Sequence, residues 1–399
     1  MVASTVTFGS QSSLREANRG RILEVIRKFG AITQVELADA TGLSPGTISV
    51  IVKELHEAGV ITTKPTSRNG RRAVLVTLSR RLGLVAGVVI GRRDMRVGLA
   101  SPAGEILAEQ HLPLGNQHRG DTGLDRVALF VTDMVERIGA NREELLGVGC
   151  GIAAPIDRAT GMICSPGLMR GWDDIPIGQS LQSRMGVPVV VDNSANLGCL
   201  AESRLGAGQG ASPVAYLSVG HGIGLGLSVD NQIFHGFSGT AGEIGHMCVD
   251  ENGPICYCGN RGCLEAIAGS TAMLESLRLT HGNLSLADLI RQTQDGDIAC
   301  RRVIDDATRY IAIALGAVCN LLDPQRVVVG GPLVDVGQPF LDPLTAYTAR
   351  FTLPGARPTI EILPGRLGER CELLGAIAYA LDTVHLPGDL EGVTLHALS

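Results

Sequence analysis

Residues 242–265 read GEIGHMCVDENGPICYCGNRGCLE and place His246, Cys256, Cys258 and Cys263 within eighteen positions. Three thiolates and one imidazole are a soft, four-ligand set that suits tetrahedral zinc, and four protein ligands leave no open position for a water. The expected role of one zinc per chain is therefore structural. Gly253, Gly259 and Gly262 let the backbone turn tightly around a small ion. A chain carrying this loop must interrupt its regular elements there and close an irregular segment on a metal. Cys248 lies close enough in sequence to leave another choice of ligands open. Glu243 and Glu265 flank the same loop, which can aim them at a ligand.

Ten cysteines in a chain whose first residues lack a basic start followed by an apolar run suggest a reducing compartment. The expectation is a cytoplasmic, nucleoid-associated protein with no membrane partner, since no apolar stretch reaches spanning length. Charge is unevenly placed. Residues 1–82 hold twelve Lys/Arg against six Asp/Glu, whereas the whole 399-residue chain has a net charge of −6. A basic head on an acidic body points to nucleic acid as the partner of the head.

The head supports that partner. After a small, polar arm at 1–13, residues 18–29 carry Ile22, Val25, Ile26 and Phe29 at helical spacing. A second helix is expected over 33–40. Ser44 at an N-cap position and Pro45 behind it start a third, to Glu57. With Ile48, Val52 and Leu55 turned inward, Gly46, Thr47, Ser49, Val50 and Lys53 face out. Strands at 60–62 and 73–78 flank a basic loop, 64–72, with Arg68, Arg71 and Arg72. This is the pattern of a winged helix-turn-helix. Its third helix would enter the major groove of double-stranded operator DNA, and its wing would meet phosphates or the minor groove.

The body begins near Arg81, and at this length two or three domains are expected. Strands are predicted at 84–90, 96–101, 105–111, 146–153, 187–191, 214–219, 224–229, 232–234, 327–329 and 359–362. Helices are predicted at 121–138, 271–277, 286–292, 298–321 and 373–382. A strand meander followed by alternating helix and strand occurs twice.

GEIGH followed by C-x-C-G-x-x-G-C-L-E resembles the signature of the ROK family, which comprises repressors, open reading frames and sugar kinases. The head pattern ELADATGLSPGTISVIVKELHEAGVI is similar to that of the family's regulators, among them the xylose- and N-acetylglucosamine-type repressors. The resemblance spans residues 18–382. It implies an α/β, actin-like (ribonuclease H-like), two-lobed sugar kinase fold behind the winged helix-turn-helix domain. The implied division is a disordered arm at 1–13 and the DNA-binding domain at 14–80. Lobe 1 follows at 81–199, joined by a C-terminal helix near 373–382, and lobe 2 with the metal loop at 200–372.

The same resemblance raises the question of catalysis. Phosphoryl transfer is mostly positioning and charge stabilisation, so a family kinase needs a glycine hairpin for phosphates and two carboxylates. Where the hairpin pattern is D-I-G-G-T-K, this chain has Val89-Ile90-Gly91-Arg92-Arg93-Asp94. Where the base motif is N-D-A-N, it has Asn193-Ser194-Ala195-Asn196, and serine is no general base without a partner. The second hairpin, Gly220-His221-Gly222-Ile223-Gly224, carries His in place of Thr. The chain is thus expected not to be an enzyme. Asn193, Glu243, His246 and Glu265 match the family's sugar-contacting positions, while Gly167 stands where Asn is common. Trp172, the sole tryptophan, is expected in the core. The expectation is a transcriptional regulator, a repressor, acting as a homodimer or higher homo-oligomer and controlled by a sugar or sugar derivative.

Overall fold

The computed structural model describes residues 11–68, 71–115, 118–165, 167–355 and 360–384. Most of the expected N-terminal arm lies outside these residues, and its last three positions, 11–13, belong to a helix that spans Gln11–Phe29.

The head is α1 (Gln11–Phe29), β1 (Ile32–Thr33), α2 (Gln34–Thr41), α3 (Pro45–Glu57), β2 (Ile61–Arg68) and β3 (Arg71–Leu78). Thr33 and Glu36 cap α2 reciprocally, and Gly42 ends it in the left-handed conformation at φ 68°. Ser44 caps α3, with Pro45 at its first turn. Leu37, Ile48 and Leu55 are fully buried where the helices meet. The wing differs from expectation. Most of 64–72 is strand, paired in register from Ile61↔Leu78 to Arg68↔Arg71. Asn69-Gly70, between the two strands in sequence, lies outside the described residues. β1 adds a short third strand beside β3.

Two five-stranded sheets follow. The first comprises β4 (Leu84–Ile90), β5 (Asp94–Ala100), β6 (Ile106–Pro113), β7 (Leu145–Ile152) and β8 (Val189–Asn193). Helices α4 (Gly120–Arg137) and α5 (Ile177–Met185) lie between its later strands in sequence. After α6 (Ser194–Leu205), the second sheet comprises β9 (Val214–Val219), β10 (Ile223–Val229), β11 (Gln232–Ile233), β12 (Arg326–Gly330) and β13 (Glu361–Pro364). Its helices are α7 (Leu264–Ala268), α8 (Ser270–His281), α9 (Leu286–Asp295), α10 (Ile298–Leu322) and α11 (Gln338–Phe351). The last helix is α12 (Cys371–Thr383).

The spatial orders are β6-β5-β4-β7-β8 and β11-β10-β9-β12-β13. Each sheet is an antiparallel meander of three strands extended by two parallel ones. The repeated order read from the sequence is thus a repeated topology, and the mixed α/β, actin-like fold is the one the chain adopts. β4, β7 and β12, buried on both faces, read as continuous apolar runs.

Four helices without a sequence expectation are α5, α6, α7 and α11. Within α6, residues 195–204 are all buried, so no amphipathic stripe announces it. α6 packs on β9, β10 and α12, and α12 packs on β4 and β7. The approach of the two helices is close, since a Cβ on Gly375 would stand 1.9 Å from the Leu197 carbonyl. The expected division after residue 199 therefore falls inside a helix. α1 of the head lies against α12, and one apolar cluster runs from Ile22 and Ile26 to Leu373 and Ile377.

Candidate functional site

The metal loop brings its four expected ligands together. Nδ1 or Nε2 of His246 and the sulfurs of Cys256, Cys258 and Cys263 lie within 4.8 Å of one another. Cys258 Sγ is 3.7 Å from Cys263 Sγ, and Cys256 Sγ is 3.7 Å from His246 Nδ1. Sulfurs bound to one tetrahedral zinc at about 2.3 Å stand about 3.8 Å apart, so these spacings fit such an ion. Burial holds the His246 pKa below its usual value, which keeps the imidazole neutral and able to ligate. Cys248 is exposed and stands outside the cluster. Gly262 is required by contact, because a Cβ there would lie 1.7 Å from the Asp250 carbonyl.

Beside this loop, between the sheets, is a cavity of about 550 Å³. Asn193, Glu243, His246 and Glu265 all line it. Asn193 ends β8 and caps α6, its Oδ1 accepting from the Ala195 amide at 2.8 Å. Its Nδ2 donates to Glu243 Oε1 at 3.0 Å. Burial, then the nearby Glu265, raises the Glu243 pKa to about 7. Glu265 Oε2 accepts from the Ile223 amide at 2.9 Å. The His246 ring can serve both sites, since Nδ1 faces Cys256 while Nε2 lies 3.3 Å from the Tyr257 hydroxyl. Such convergent donors and acceptors suit a polyol.

Two residues were missed as occupants of this site. Tyr257, set between Cys256 and Cys258 of that cluster, places its hydroxyl 2.5 Å from Glu265 Oε1. Arg92, considered at first only as a lost glycine, bonds the Tyr257 hydroxyl, packs 4.4 Å from that ring's centroid and pairs with Glu265. Burial opposes its charge, but Glu265 and Tyr257 outweigh burial and raise its pKa above the usual value. An arginine replacing glycine in a hairpin beside a carboxylate-rich loop was the available signal.

Val89, Ser194 and His221 line the same cavity. Gly167 has φ 84° and its amide donates to Asp173 at 2.8 Å, which accounts for a glycine there. Trp172 is fully buried, its Nε1 donating to His118 Nδ1 at 3.0 Å.

On the head, Gly46, Ser49 and Lys53 are exposed along α3, as is Arg72 on the wing. Thr47 is half-buried and its hydroxyl lies 2.9 Å from Ser44 Oγ, so it also serves the cap. The side chains of Arg68 and Arg71 lie outside the described residues. Among the described residues no helix is long and apolar enough to cross a membrane.

The ROK family profile matches residues 85–383, and a profile described as winged helix-turn-helix DNA-binding matches residues 15–62. The xylose repressor of Bacillus subtilis is 28% identical over 380 residues, 94% of this chain and 97% of that protein. A glucokinase of Halalkalibacterium halodurans is 30% identical over 72% of this chain and 92% of its own length. A crystal structure of a ROK family transcriptional regulator, a homologue of the Escherichia coli Mlc protein, has a TM-score of 0.73. It is 23% identical and covers 92% of this chain and 96% of its own, which shows a shared fold.

Proposed function

This chain belongs to the ROK family, and from that premise we propose that it is a DNA-binding transcriptional repressor whose operator affinity is set by a sugar in the cleft. The observation that carries the proposal is the path from cleft to head. Asn193 and Ser194 line the cavity and begin α6, α6 packs on α12, and α12 packs on α1. Glu372 and Leu373 of α12 line the cavity as well. A sugar that binds one arrangement of the lobes better than another shifts the population toward it, and α12 carries the shift to the head. In a homodimer the two heads would then no longer match the half-site spacing of the operator.

The relatives support this reading by name, and so does the head. The glucokinase relative favours a second reading, an ATP-dependent sugar kinase with an accessory head. Against it stand Val89 and Ser194 in place of two carboxylates, and Arg92 in space that backbone would leave for phosphate. The sugar contacts proposed are Asn193, Glu243, His246 and Glu265. Those proposed for DNA are Gly46, Thr47, Ser49, Lys53, Arg68, Arg71 and Arg72. One structural zinc on His246, Cys256, Cys258 and Cys263 would hold the loop that presents Glu265. A cytoplasmic, nucleoid-associated protein fits this role.

The test is selection of bound duplexes from a random pool by the full-length protein, followed by titration of the selected duplex with monosaccharides. Sequence-specific binding weakened by a sugar is expected. Absence of specific binding, or sugar-dependent ADP release at roughly 1–100 per second, overturns the reading.

A further inference from the structure

We infer that the end of α8 and the start of α10 form a second metal site, for an exchangeable zinc held by His281 Nε2, the Asp297 carboxylate and the Cys300 thiolate. One ligand atom from each residue lies within 4.8 Å of the other two. None of the three residues belongs to the Cys/His loop or lines the cleft, so the site stands apart from the reading of the cleft.

Three helices bring these groups together. His281 is the last residue of α8. Asp297 caps α10, its Oδ1 accepting from the Cys300 amide at 2.8 Å, and the cap leaves the other carboxylate oxygen for a ligand. Cys300 is the third residue of α10 and is fully buried. Gln292, in the last turn of α9, sets its Oε1 3.6 Å from Cys300 Sγ.

The spacings are those of ligands that share an ion. His281 Nε2 is 3.4 Å from Asp297 Oδ1. That is longer than the roughly 2.7–2.9 Å of a charge-assisted N–H···O bond. It is close to the about 3.3 Å between a nitrogen and an oxygen on one tetrahedral zinc. Sulfur and oxygen on one zinc stand about 3.5 Å apart, so Gln292 Oε1 is placed to complete the four.

The imidazole is also oriented from behind. The Thr280 hydroxyl donates to the Leu277 carbonyl at 3.1 Å, which leaves its oxygen to accept from Nδ1 of His281 at 2.7 Å. A ligating histidine is held in this way by a partner on its other nitrogen. The Nε2 lone pair then faces the carboxylate, and two acceptors in contact call for a cation between them. Imidazole and thiolate select zinc over magnesium or calcium, which prefer oxygen ligands alone. The site has one thiolate where the Cys/His loop has three, so its ion is the one that leaves on dialysis. Bound there, the ion fastens the end of α8 to α10. α10 also packs on α7, which carries Glu265.

The test uses the full-length protein, loaded with zinc, dialysed and then titrated with cobalt(II) in place of zinc. A thiolate charge-transfer band is expected, saturating with one equivalent of cobalt. Zinc added afterwards should bleach it, and magnesium should not. Cys300→Ser should abolish the band. His281→Gln and Thr280→Val should each weaken cobalt binding by about tenfold or more, the second because Thr280 only orients the ring. Circular dichroism checks the fold of each variant. A titration without a thiolate band overturns the proposal, and so does a band that persists in Cys300→Ser. Cobalt affinity unchanged in both His281→Gln and Thr280→Val overturns it as well.

Discussion

Arg92, from the turn between β4 and β5, pairs across the cleft with Glu265 at the start of α7, Nη1 to Oε1 at 2.5 Å. The pair joins the first sheet to the Cys/His loop, and it engages one of the two oxygens of Glu265. Both side chains are largely buried, at 27% and 9% exposure. Losing one partner of such a pair leaves the other's charge without compensation.

Arg92→Ala should therefore lower the stability of the sugar-free protein by on the order of 1–3 kcal/mol, since the pair is not fully desolvated. It should also enlarge the stabilisation given by a saturating sugar, because Glu265 no longer exchanges one partner for another. Thermal unfolding with and without sugar measures both effects. Equal melting temperatures for the sugar-free proteins would show that the pair holds nothing together.

A second expectation concerns pH. The Glu243 pKa is raised from 4.5 to about 7 in the folded protein, by burial and then by Glu265. The folded state holds this proton more tightly than the unfolded chain. The associated stability is complete below about pH 4.5 and is lost as pH rises through about 7. Glu243→Gln lacks the proton equilibrium. Wild-type stability, measured relative to this variant by urea unfolding, should fall by on the order of 2 kcal/mol between pH 5 and pH 8. A difference that does not vary with pH would mean that Glu243 is not desolvated in solution.

The third concerns the metal. Elemental analysis should find one zinc per chain, and Cys258→Ser should lose it. Closure of 246–263 on the ion is coupled to binding, so metal loss should also loosen Tyr257 and Glu265 and weaken any sugar response. Wild-type protein that contains no metal yet unfolds at the same temperature in excess chelator would remove the zinc assignment.

What the sequence disclosed depended on whether the signal was local. Ser44-Pro45 announces α3 because a helix start is written in adjacent residues, and the Cys spacing of the loop is as compact. The strands of the wing were read too short because a loop was drawn over 64–72, where β2 and β3 stay paired as far as Arg68↔Arg71. α6 left no mark, since a helix buried on every side has no apolar stripe to show. Tyr257 and Arg92 are 165 positions apart. Neither residue alone indicates that a cation packs over that ring, because the contact exists only once both sheets are in place.

The last expectation tests the division of labour in the head. Ser49 is uncharged and exposed near the start of α3, where a recognition helix meets base edges. Thr47 stands beside it, but its hydroxyl also meets the Ser44 cap, so Thr47→Ala can cost helix stability as well as a base contact. Ser49→Ala is the cleaner variant. It should leave the salt dependence of binding nearly unchanged. It should narrow the gap between operator and random DNA by roughly 1–3 kcal/mol if one base contact is lost. Arg72 is exposed and always charged, the second residue of β3. Arg72→Ala should weaken binding across all sequences and flatten the log–log salt slope by roughly one unit, the release of one counterion. Titrations of the selected operator and of a scrambled duplex, at four or more salt concentrations, separate the two effects. If Ser49→Ala leaves the operator preference intact while Arg72→Ala abolishes it, the wing reads the bases, and α3 serves as its support.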